Sequence, residues 1–143
     1  MPSLTEEICL LLQELQFGTY PIDPSDVGGS IFLAALPAAP DEAIAVARYA
    51  GPESGSLLGY DEPSFQIRVR GPKHDAGVPE ERAQAIYDAL HGLRSRYLPG
   101  GTWLVHLIGA NAGPVPMGQD THQRTEYVVN LRAEVRRPTP NRQ

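Results

Sequence analysis

Cysteine, long apolar runs and basic residues in the first half are scarce in this sequence. A lone Cys9 excludes an internal disulfide framework and any zinc site built on several thiolates. No apolar run approaches the roughly 20 residues that span a bilayer. The stretch from Met1 to Gln16 carries Glu6, Glu7 and Glu14 and no base, whereas a secretory signal needs positive charge there. Pro2 stands where myristoylation requires glycine, and the closing residues Pro140-Asn141-Arg142-Gln143 carry no lipidation signal. These absences predict a soluble protein made in a cytosol. The net charge of −5 argues against generic nucleic-acid binding.

Glycine and proline are abundant instead. They contribute 14 residues each to a chain of 143, against a combined share of roughly 12% in ordinary domains. With 41% hydrophobic and 20% charged residues, the chain is still too apolar to be disordered. Its length suits one domain. The reading is a single domain over residues 1–137 with long, stiff loops at 19–29, 51–63 and 111–124, and an unfolded tail over 138–143.

Two helices and five strands follow from the patterning. Ser3 and Glu6 match a capping box, and Leu4, Ile8, Leu11, Leu12 and Leu15 make one apolar stripe at helical spacing. Gly18 suits the left-handed residue that ends such a helix. Cys9, on the same helix, reads as a small buried hydrophobe. Strands are predicted over 30–36, 43–50, 64–70, 102–110 and 125–136. In the third, Phe65, Ile67 and Val69 alternate with Gln66, Arg68 and Arg70, and Gly71-Pro72 is expected to stop it. Pro79, Glu80 and Glu81 open a second helix, with Ala83, Ile86, Tyr87 and Leu90 facing the core. The last strand is long: twelve residues extend about 40 Å, roughly twice the usual length. It must bend, or leave the core to meet something else. The order α-β-β-β-α-β-β predicts an α+β fold. Its architecture is a two-layer sandwich, a mostly antiparallel sheet of about five strands with both helices on one face.

Sites for chemistry are hard to find. His74, His91, His106 and His122 include no pair at the four-residue spacing that sets two imidazoles on one metal. Asp120 with His122, and His74 with Asp75, have no partner brought to them by the sequence. His106, on a mostly apolar strand, reads as a hydrogen-bonded core or interface residue. Ser56 lies between Gly55 and Gly59 at the wrong spacing for a nucleophile elbow. Gly28-Gly29-Ser30 lacks the lysine of a phosphate loop and reads as a turn. Asp61 and Glu62 are adjacent in a loop, which fixes no acid–base geometry. No catalytic residue, metal ligand or cofactor site is assigned.

Charge is unevenly distributed. Residues 1–63 carry −9 and residues 64–143 carry +4, so one subunit's basic face can meet another's acidic face, unless the two signs mix on one folded surface. Arg68, Arg70, Arg132 and Arg136 fall on the outward faces of two strands. They form a candidate basic face for phosphate contact, for a ring lumen or for pairing with acids of another subunit. That face lacks interleaved aromatics, so stacking on single-stranded nucleic acid is unsupported.

Two segments carry a family resemblance. Pro63-Ser64-Phe65-Gln66-Ile67-Arg68-Val69-Arg70-Gly71 precedes the second helix. Pro116-Met117-Gly118-Gln119-Asp120-Thr121-His122-Gln123-Arg124 then leads into Thr125-Glu126-Tyr127-Val128-Val129-Asn130-Leu131. The order, spacing and intervening helix resemble the tail terminator proteins of long-tailed phages, also labelled tail-completion or minor capsid proteins. The resemblance runs from the first helix to Val135. It implies a virion protein without active site or cofactor, assembled in the bacterial host cytoplasm and forming a six-membered ring on the head-proximal end of the tail tube. The implied partners are further copies of the chain, the tail tube protein and the head connector, with DNA only passing through the lumen and no membrane. Asp120 and Arg124 of the second segment join the four arginines as candidates for the subunit interface or lumen. A neighbouring head–tail joining protein, a non-phage binding module and a small enzyme are the alternatives.

Overall fold

A computed structural model describes residues 2–21, 28–54 and 58–142. In chain order the elements are α1 (Leu4–Glu14), β1 (Ile31–Leu33), β2 (Ala43–Tyr49), β3 (Tyr60–Asp61), β4 (Ser64–Lys73), α2 (Gly77–Leu90), β5 (Arg94–Tyr97), β6 (Trp103–Gly109), β7 (Val115–Gln119) and β8 (Arg124–Arg136). The strands form one sheet of eight, ordered β1-β2-β4-β8-β6-β5, with β3 and β7 also paired to β8. Every pairing is antiparallel except that of β1 with β2.

The long last strand stays inside the subunit. One edge of β8 pairs with β4 and then β3, and the other with β7 and then β6. Both edges are therefore occupied, and the strand has no free backbone to offer a neighbour. Its alternation is as expected: Val129, Leu131, Ala133 and Val135 are buried in the core, while Arg132 and Arg136 are exposed on the other side.

The α+β sandwich holds, but the sheet has eight strands rather than about five. The two-residue β3 and the five-residue β7 occupy parts of the segments read as the second and third long loops. Pro116 and Gly118 disguise β7, because proline and glycine weaken a strand pattern unless the strand lies at an edge or carries a bulge. Here the register shifts between Pro116 and Gly118, and Gly118 has φ +82°. Polar, exposed β5 has no apolar alternation to reveal it. Strand β1 is three residues long instead of seven, since Ala34 turns into the left-handed region at φ 69°. Strand β4 runs past Gly71-Pro72 to Lys73 through a bulge after Arg70. Residues 22–27 of the first loop, with Asp23 to Asp26, and Ser56 of the second lie outside the described residues.

Both helices pack on one sheet face around a single core that includes Ile8, Leu12, Phe65, Ile67, Ile86 and Leu107. The capping box of α1 is formed, with Ser3 N–H donating to Glu6 Oε1 and Glu6 N–H to Ser3 Oγ, each at 3.2 Å. The left-handed residue after α1 is Gln16, at φ 69°, not Gly18. Gly18 is needed for space instead, because a Cβ there would strike Ser30 Oγ. Helix α2 begins at Gly77, earlier than Pro79, because Asp75 Oδ1 accepts the N–H groups of Gly77 and Val78 at 3.0 and 3.2 Å. Pro79 remains in its first turn.

Candidate assembly surface

The two motif segments meet across β4 and β8 on the sheet face that carries no helix. The register sets Gln66 opposite Asn130, Arg68 opposite Val128 and Arg70 opposite Glu126. Gln66 Nε2 donates to Asn130 Oδ1 at 3.1 Å, and Asn130 Nδ2 donates to Asn111 Oδ1 at 3.1 Å. Arg68 pairs with Glu126 at 2.7 Å. A residue pattern that looked like two separate signals in the sequence is one cross-strand network.

Arg70 and Arg124 lie at one end of this network and hold the loop between β1 and β2. Arg70 is 3% exposed. It donates through Nε to Asp41 O at 2.9 Å and through Nη2 to Pro40 O at 2.6 Å. Arg124 donates to Ala38 O at 2.7 Å, to Asp41 Oδ1 at 3.1 Å and to Asp120 Oδ2 at 2.8 Å. The other oxygen of Asp120 accepts the backbone N–H groups of His122 and Arg124, so this carboxylate also ties the turn between β7 and β8. The spacing of Asp120 and Arg124 is thereby explained: the acid organises the turn whose last residue returns to pair with it.

Electrostatics follow the contacts. Burial, and then the positive charge of Arg124, lower the pKa of Arg70. At Arg124 burial opposes ionisation, but the hydrogen bonds to Asp120 and Asp41 outweigh it and raise the pKa. At Asp120 desolvation is outweighed by the N–H groups of Arg124 and His122 and by the Arg124 guanidinium, which hold the carboxyl down at about 2.

The acidic first half and basic second half are joined at several points within one subunit. Arg96 reaches Glu14 at 2.6 Å, Arg82 reaches Glu42 at 4.0 Å, and Arg137 and Arg142 reach Asp61 at 3.2 and 2.7 Å. Residues 138–142, read from sequence as tail, include this Arg142 contact and a bridge between Thr139 and Arg142. Of the six candidate residues, Arg68, Arg70, Asp120 and Arg124 are engaged in these intrachain contacts. Arg132 and Arg136 are exposed, and their side chains make no ion pair or hydrogen bond among the described residues.

The residues considered for chemistry stay apart. Among the described residues no group of three His, Cys, Asp or Glu side chains is placed to hold a metal. Cys9 is buried, its thiol pushed up to about 12 by desolvation and then by the charge of Glu6, which suits a core residue and not a nucleophile. His91 Nδ1 accepts the Gly109 N–H at 2.8 Å and its ring stacks on Tyr87. His106 is partly exposed, 3.8 Å from Glu134. Among the described residues no helix is long and apolar enough to cross a membrane.

Sequence reading missed one cluster. Tyr60, Arg136, Trp103 and Tyr97 stand side by side across β3, β8, β6 and β5, bringing aromatics to the arginine face. Tyr60 lay in a presumed loop and Tyr97 in an unrecognised strand, so only the sheet order joins them.

A small two-layer domain whose sequence motifs form one structural network, with Arg132 and Arg136 exposed on an open sheet face, defines the class: an α+β domain that presents a charged sheet face for contact. The chain matches the bacteriophage tail terminator protein family over residues 11–137, and it belongs to that family. It is therefore a structural component of a phage tail. No curated protein matches it.

Proposed function

We propose that the chain closes into a ring of identical subunits, six in number, on the head-proximal end of the tail tube. There it ends tube growth and presents the surface that receives the head connector. The family assignment over residues 11–137 carries this reading. Assembly takes place in the host cytoplasm, and DNA only traverses the lumen. The charges left outside the internal ion pairs, Arg132 and Arg136 among them, support the reading, because they are available to other copies. Arg132 and Arg136 act at the subunit interface or lumen, while Arg68, Arg70, Asp120 and Arg124 shape the surface that presents them.

Light scattering on the purified protein, alone and mixed with tail tube protein, tests this. The expected result is a discrete species at six times the 15.5 kDa subunit mass. A monomer under both conditions overturns the ring.

A further inference from the structure

At the far end of β8 the open sheet face changes character. Tyr60, Arg136, Trp103 and Tyr97 share one register level, and Tyr97 meets Trp103 edge to face at 4.9 Å between ring centroids. With Gly101 and Pro138 they line a groove of about 420 Å³. Tyr97 is 67% exposed, a large apolar surface for a side chain in a strand. Further along β8, Arg132 stands opposite Ile108, also exposed. Aromatic rings beside arginines are the composition of a protein–protein contact core, where desolvated anchors supply most of the affinity.

The other layer of the same subunit presents the complement. Helix α2 turns Glu81, Gln84, Ala85 and Asp88 outward. Its only base, Arg82, is directed elsewhere, to Phe17 O and Glu42. Glu81 has no partner among the described residues, and Asp88 accepts only the Gln84 amide. Seven residues of helix separate these acids by about 10 Å, and four residues of strand separate Arg132 from Arg136 by about 13 Å. The spacings match within the reach of the side chains. Ala85, between the acids, leaves room for Glu134, which lies between the two arginines.

We propose that the outward side of α2 in a second copy of this chain docks on the strip formed by Ile108, Arg132, Trp103, Arg136 and Tyr97, with Glu81 and Asp88 meeting the two guanidinium groups. The contact uses two different surfaces on opposite layers. It is heterologous, and such contacts repeat from copy to copy until they close. This inference rests on the ring reading and names its subunit contact.

Charge exchange tests it, with mass measured by light scattering and folding by circular dichroism, alone and with tail tube protein. Arg132→Glu with Arg136→Glu, and Glu81→Arg with Asp88→Arg, should each reduce the ring to single subunits while the spectrum stays unchanged. Combining all four should restore the wild-type mass. Double variants that assemble normally, or a fourfold variant that stays monomeric, overturn the contact. As a check that does not rely on charge reversal, Glu134→Cys with Ala85→Cys should give a ladder of disulfide-linked multimers on oxidation, Cys9 being buried. Absence of the ladder in an assembled ring also overturns the contact. A wild-type protein that is monomeric throughout removes the ring reading itself, an outcome distinct from a wild-type ring with unaffected variants.

Discussion

Arg70 ends an alternating strand, and alternation puts it on the outward face beside Arg68. The face is correct and the exposure is not: the loop between β1 and β2 folds over it and its guanidinium donates to two loop carbonyls. Alternation reports direction, while burial depends on what a distant segment does. Removing a side chain that makes two charge-assisted bonds costs about 2 kcal/mol. Arg70→Ala is thus expected to lower Tm by roughly 5–10 °C, read by thermal melting. Arg70→Lys should recover little of this, because an ammonium lacks the fork that reaches both carbonyls. An unchanged Tm would mean that the loop holds itself. Arg132, four strand residues before Arg136, has neither cover nor partner, and so assembly is better probed at those two positions than at Arg70.

Among the elements, α1 was the most legible, since its cap, stripe and length are all local. Strands β3, β5 and β7 were the least legible. Each is short or polar, and each is a strand only because β8 or β6 supplies its hydrogen-bond partners. The seating of α2 on the sheet also depends on positions that the pattern does not announce. A Cβ at Gly71 would strike the Pro79 ring, and one at Gly109 would strike the ring of Tyr87. Tyr87 in turn stacks on His91, whose Nδ1 accepts the Gly109 N–H. Gly109→Ala should therefore lift the end of α2 from β6 and cost roughly 1–3 kcal/mol, measured by urea unfolding. Ala85→Ser, on the outward side of the same helix, should leave the midpoint unmoved. Equal stability of the two variants would contradict the packing.

At the scale of the whole molecule, carboxylates hold both ends of the open face. Asp120 fixes the turn and, through Arg124, the loop between β1 and β2, whereas Asp61 receives Arg137 and Arg142. Desolvation opposes ionisation of Asp61, but hydrogen bonds from Ser54 and Arg142 and the charges of Arg142 and Arg137 lower its pKa. Asp120 lies at about 2, against its usual 3.8. A carboxylate depressed on folding stabilises the native state above its unfolded pKa and loses that effect as pH falls through the folded value. Tm should therefore decline between about pH 4 and pH 2, and Asp120→Asn should flatten the profile in that window. A variant with the wild-type profile would show that Asp120 is not the group responsible.

The sequence by itself determined the α+β class, the capped first helix, the core face of β8 and the two motif segments, because each depends on neighbours a few residues away or on a regular period. It also contained the opposite charges of the two halves. Only the tertiary structure decided that Glu14, Asp41, Glu42 and Asp61 pair with bases of the second half within one subunit, that both edges of β8 are filled, and that Tyr60, Trp103 and Tyr97 gather around Arg136. These outcomes depend on strand order and register, through which residues tens of positions apart become neighbours, and no local period encodes them.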